Sequence, residues 1–252
     1  MSEYQYYEFR VDEGSLSAAE MKVMNSLSSR AVVTSQMASY TYNYGDFRGN
    51  SKKLLEKHFD AFLYLANWGS RQLIFKFPKS LIKLQSLRPF QWEGVIDVYA
   101  HKDFIVMDID LSEDEGGGDW IDGEGWLEAI LTLRKDILRG DLRLPYLAWL
   151  QAFSNSCLDE SEAKKVKSPA VPAGLKNLSP ALVDFVELFE IDRDRVREKA
   201  KQSAKLKRPL PQASLKAALA KLPTSTKDKY LLKFLQGIPD TKVELGNLLQ
   251  KN

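Results

Sequence analysis

The spacing of apolar positions changes several times along the chain, and each change predicts an element. In "YQYYEFRV", Tyr4, Tyr6, Glu8 and Arg10 fall on one side and Gln5, Tyr7, Phe9 and Val11 on the other, the two-residue period of a strand. In "SLSAAEMKVMNSLSSR" the period becomes helical through Met21, Met24 and Leu27. Ser17 followed three residues later by Glu20 has the spacing of a capping box. "RAVVTSQMASYTYNYGDF" returns to β character and sets Tyr40, Tyr42 and Tyr44 along one side of a strand. "NSKKLLEKHFDAFLYLANWG" predicts a long helix with Ser51 as its cap, a wide stripe through Leu54, Leu55, Phe59, Phe62, Leu63 and Ala66, and Gly69 at its end. "RQLIFKFP" predicts a strand that stops at Pro78. "VIDVYAHKDFIVMDIDLS" predicts two more, joined by a turn near His101 to Asp103.

Two helices follow. "GWLEAILTLRKDILRG" aligns Trp126, Ile130, Leu133 and Ile137 and ends at Gly140. "DLRLPYLAWLQAF" brings Tyr146, Trp149 and Phe153 round at successive turns, with Pro145 in its first turn. Residues 1–155 are therefore expected to form an α+β domain, a mixed or antiparallel sheet with packed helices. Polar, aperiodic "SCLDESEAKKVKSPAVPAG" predicts a linker over 156–176. Residues 177–252 are expected to be all-helical. "SPALVDFVELFEI" has Ser179 as cap, "DRDRVREKAKQSAK" is a charged helix, and "SLKAALAKL", "TKDKYLLKFLQGIP" and "TKVELGNLLQKN" are short amphipathic ones.

Composition narrows the function. A formal charge of +2 gives no global field toward nucleic acid or acidic membranes. The single cysteine, Cys157, forms no internal disulfide, as expected in a reducing, cytoplasmic setting. No apolar run approaches the ~18 residues of a membrane span, and "MSEYQYYEFRVDEG" lacks the basic start and apolar core of a signal peptide. His58 and His101 have no second His or Cys at ligand spacing, and no GxSxG elbow exists. No cofactor is expected.

The chemistry that remains centres on "DIDLSEDEGGGDWIDGEGW". Alternation puts Val106, Asp108 and Asp110 on one strand face. Two aspartates so placed can hold Mg²⁺ for phosphoryl transfer, but the sequence offers no third ligand and no phosphate-cradling loop. The plainer reading is an acidic strand face. Counted from Asp108, the calcium-loop pattern fails, with Glu113 at the position that needs glycine and Asp119 where the bidentate glutamate belongs. "DWIDGEGW" suits a helix start, where Asp122, Glu124 and Glu128 favour the dipole by roughly 0.3–1 kcal/mol each. Trp120 and Trp126 either pin this loop or, with Tyr146 and Trp149, form a partner-binding set.

The run Arg193, Arg195, Arg197, Lys199, Lys201, Lys205, Lys207 and Arg208 is opposed only by Asp194 and Glu198. It is the nucleic-acid candidate, though it has no interleaved aromatic for stacking, and a solvated helix face is the commoner role of such a run.

"YQYYEF", "LANWG", "GEGWL" and the pair "LRKDILRGDLRLPYLAWL" resemble a set of bacterial proteins with no established activity. That set shares the pattern LRxxLxxGDLRxLYLxWL, from which this chain departs at Pro145. The resemblance implies a bacterial, soluble protein of shared fold. It supplies no catalytic residue and favours an architectural role for the GEGWL and LRGDLR motifs.

The reading that results is a non-enzymatic protein–protein interaction module, an adaptor or complex subunit, that binds another protein and no membrane. Nucleic-acid binding through 193–208 and metal-dependent phosphoryl transfer at Asp108 and Asp110 are the alternatives. The nucleic-acid alternative predicts binding that falls steeply with salt and vanishes in an Arg195→Glu, Lys199→Glu variant. Absence of any mobility shift with DNA or RNA at low salt eliminates it.

Overall fold

The computed structural model describes residues 3–112, 121–156, 158–206 and 211–250. Among them is one antiparallel sheet of seven strands, β1 (Gln5–Arg10), β2 (Ala31–Val33), β3 (Met37–Tyr42), β4 (Ala61–Ala66), β5 (Arg71–Pro78), β6 (Ile96–His101) and β7 (Phe104–Asp110). Their spatial order is β2-β3-β1-β4-β5-β7-β6. The chain is α+β, with a helical C-terminal part.

The sheet is covered on both faces. On one, α1 (Ala18–Ser26) and α2 (Ser51–His58) lie over Phe9, Tyr40, Phe62, Ile74 and Val106. The capping box of α1 is formed by Ser17 and Glu20. Tyr40 is buried beneath that helix and donates its hydroxyl to the Met24 carbonyl at 3.0 Å, while Tyr44 is left outside. The other face, with Tyr6, Leu63, Phe75 and Met107, packs against α4 (Trp126–Ile130), α5 (Thr132–Leu138) and α6 (Arg143–Asn155), and α8 (Pro180–Leu188) packs over these helices. Short turns α3 (Leu84–Leu87) and α7 (Glu160–Ala163) complete the connections.

The long helix expected over residues 51–69 is half a helix. Asn50, not Ser51, caps α2, and Phe59 is already extended. "AFLYLA" is instead β4, paired with β1 and β5. It is central and covered on both sides, so Ala61, Leu63 and Leu65 enter one core and Phe62 and Tyr64 the other. A strand buried on both faces has an unbroken apolar run, which spacing alone does not separate from a helix. "LANWG" is accordingly the β4–β5 turn, with Gly69 at φ +92°.

The region after residue 156 shares the first region's core. Leu175 and the α8 residues Leu182, Phe185 and Val186 lie in the same apolar cluster as the sheet residues. So do Val196 and Ala200 of α9 (Arg193–Ala200). Within the expected linker, Pro169 and Gly174 are also buried. The last helices, α10 (Gln212–Lys221), α11 (Thr224–Leu235) and α12 (Thr241–Leu249), have a small cluster of their own around Ala218, Leu222 and Leu249. Val243 reaches into the main core.

Beside Val243, a cluster of ion pairs fixes this last group to the sheet. Arg134 of α5, 2% exposed, meets both carboxylate oxygens of Asp240 at 3.0 Å and Asp12 at 2.8 Å, and donates to the Lys76 carbonyl at 2.8 Å. Asp60 stands 3.8 Å away. Burial works against the charged guanidinium, but Asp240, Asp60 and Asp12 outweigh it and raise its pKa above the ordinary value. Glu13 accepts the Asp240 backbone N–H at 2.6 Å, and Lys135 bridges Asp12 and Glu13. Asp240 adopts φ +58°, a conformation that aspartate tolerates better than most residues.

Arg134→Ala is expected to cost about 3–5 kcal/mol, because it leaves Asp240 buried without its cation and Asp12 with Lys135 alone. Urea denaturation checks this. A loss under about 1 kcal/mol would show that the acids rehydrate and the ion cluster is dispensable.

Candidate functional site

α11 is oriented against the usual rule. A surface helix normally turns its apolar stripe to the core. In α11 the inward positions are Tyr230, which is buried, and Lys233, which pairs with Glu244 of α12. Leu231, Phe234 and Leu235, spaced i, i+3 and i+4, all face solvent, Leu232 is exposed beside them, and Ile238 is exposed just past the helix end. Leu235 is 84% exposed.

The local sequence dictates how the helix ends. Gly237, at φ +63°, permits the two reversed hydrogen bonds of a Schellman turn, Ile238 N–H to the Lys233 carbonyl and Gly237 N–H to the Phe234 carbonyl. Pro239 follows, and Asp240 docks on Arg134. The turn and the ion cluster together set the rotation of α11, so the apolar face is held outward by specific contacts. Lys216, Lys221, Lys227 and Lys229 lie along α10 and α11, where Asp228 is the single acid of the two helices, while Lys233 is taken up by Glu244.

The residues anticipated from sequence fall elsewhere. Asp108 is buried on the α2 side of the sheet, where Lys52 approaches at 2.9 Å and Gln72 donates at 2.7 Å. The hydrogen bond to Asp108 lifts the Lys52 pKa. Asp110 accepts from the Ser112 hydroxyl and backbone N–H. The two aspartates thus share a face but have separate partners. No group of three or more His, Cys, Asp or Glu residues able to hold a metal occurs among the described residues.

Of the aromatic set, Trp120 lies outside the described residues and Trp126 is half-buried against the core. Tyr146 and Trp149 are core side chains, which corrects their assignment to a partner surface. Trp149 stacks on Phe153 with centroids 5.3 Å apart and meets the edge of Trp92. The helix lies between the sheet and α8, and Tyr146 and Trp149 are 2% and 3% exposed.

The GEGWL turn is architectural. The Tyr4 hydroxyl accepts from Gly123 N–H at 2.9 Å, and Asp122 accepts from Glu124 N–H. A side chain at Gly123 would begin 2.2 Å from the Tyr6 ring, so only glycine fits. Glu128, in the first turn of α4, pairs with Arg10.

The basic run divides. Arg193, Arg197 and Lys201 line one side of α9, toward α8, while Arg195 and Lys199 line the other, toward α6. Arg193, Arg195 and Arg197 pair with Glu187, Asp192 and Asp194. Lys205 is exposed beyond the helix, and Lys207 and Arg208, like Cys157, lie outside the described residues. The described cations do not form one continuous phosphate track.

No family model, curated protein or solved structure matches this chain. Among the described residues no helix is long and apolar enough to cross a membrane.

With Asp108 already bound by Lys52 and Gln72, millimolar Mg²⁺ is expected to leave the melting temperature unchanged in both the wild type and Asp108→Asn. A Mg²⁺-dependent rise seen in the wild type and lost in the variant would restore the metal reading.

Proposed function

We propose that this chain is a non-enzymatic interaction module, an adaptor or complex subunit, that docks a partner protein through the outward face of α11. The observation that carries this is the contiguous exposure of Leu231, Leu232, Phe234, Leu235 and Ile238. Contiguous apolar patches on a soluble surface mark binding sites far more often than isolated apolar residues do. The i, i+3, i+4 spacing of Leu231, Phe234 and Leu235 is that of a helix inserted into a partner's apolar groove, with Ile238 extending the patch past the helix end. The surrounding lysines call for a groove with an acidic rim. A second copy of the chain presents the same lysines and repels them, which argues for a different protein.

Replacing Leu231 and Leu235 by aspartate tests this. Both side chains are exposed, so stability should change by no more than about 0.5 kcal/mol per site. A partner that co-purifies stoichiometrically with the wild type, and binds it directly once purified, is expected to bind the double variant at least about tenfold more weakly. Equal binding to both forms would overturn the assignment. So would a wild-type dimer in light scattering that the variant converts to monomer, since that would give the face to self-association.

A further inference from the structure

Between α8, α9 and residues 175–178 lies an open cleft of about 740 Å³, separate from the α11 face. Its floor is apolar, with Leu175, Val186, Val196 and Ala200 buried and Val183 exposed at the lip. Its rim is cationic. Arg193, Arg197 and Lys201 recur at four-residue intervals along one wall, and Lys176 stands on the segment that closes the other. Glu187 lies 3.6 Å from Arg193, and Asp194 pairs with Arg197 at 2.6 Å. Lys176 and Lys201 have no ion-pair partner among the described residues.

The size falls within the roughly 300–1,000 Å³ typical of small-molecule sites, as does the pattern of an apolar floor with few charged groups. The charge chooses the ligand. A neutral apolar molecule would leave the cations unused, and a cation would be repelled. An apolar chain ending in an anionic head satisfies both parts, because guanidinium and ammonium groups bind carboxylate and phosphate oxygens through charge-assisted hydrogen bonds. We infer that this cleft binds a monomeric anionic amphiphile, an apolar chain bearing a carboxylate or phosphate head. The chain lies on the Val186 and Val196 floor and the head lies at the Lys176 and Lys201 rim. The site is independent of docking at α11.

Calorimetric titration of the full chain with decanoate and with decyl phosphate, each below its micelle-forming concentration, tests the assignment. Saturable 1:1 binding of at least one of them is expected, with decanol and decyltrimethylammonium binding at least about tenfold more weakly. The charge reversal Lys176→Glu, Lys201→Glu should weaken binding at least about tenfold, as should Val183→Trp, which fills the cleft from an exposed position. Melting temperatures of both variants confirm that the fold is retained. Binding of decanol as tight as decanoate would show that the cations take no part and overturn the proposal. Failure of both anions to bind, binding unaffected by either variant, or binding only to anionic phospholipid vesicles would overturn it as well.

Discussion

Arg134 is the constraint from which much of the arrangement follows. A guanidinium cannot be left unpaired inside a protein, and here its partners come from three distant points on the chain, Asp12 after β1, Asp60 before β4 and Asp240 before α12. Satisfying one cation therefore fixes the end of a central strand, the start of its neighbour and the corner between the last two long helices. Lys76 belongs to the same neighbourhood. Burial pushes its pKa down, against the pull of Asp60, and it donates to the Leu55 and Glu56 carbonyls at the end of α2. The two sides of the sheet are thus joined by polar contacts at one edge of their apolar cores.

That corner gives α11 its unusual exposure. Apolar side chains turned to water must be held there, or the helix would roll to bury them. The Schellman turn at Gly237, the left-handed Asp240 and the Lys233–Glu244 pair oppose such a roll. The near-neutral total charge conceals a segregation. α10 and α11 have a lysine excess, and so does the rim of the α8–α9 cleft, each beside exposed apolar surface. Both surfaces therefore suit partners that combine apolar and acidic character.

Much of the fold was legible in the residues. The alternation of Tyr4 to Val11 identified β1 and both of its faces, Ser17 with Glu20 identified the start of α1, and Ser179 the start of α8. β4 was not legible, because a strand covered on both sides has no alternation to show. The surface on α11 was legible as an amphipathic helix but not as a site, since a stripe states its width and not its direction. The missing direction resides in Arg134 and Asp240, 106 positions apart, and no local pattern links them. Tyr146 and Trp149 misled for a related reason. Their spacing is that of any helical stripe, and only the presence of α8 and Trp92 shows that the stripe is already occupied.

The small cluster of α10 to α12 has a bearing on cooperativity. Around Ala218, Leu222 and Leu249 it buries little, and its attachment relies on Val243, the Asn247 contact to the Leu138 carbonyl and the ion pairs of Asp240. The sheet with α4 to α9 has a far larger continuous core. The terminal helices are consequently expected to form a weaker tier that opens before the sheet does. The helix that bears the exposed leucines belongs to the weaker tier, so a partner that grips it also holds the end of the chain shut.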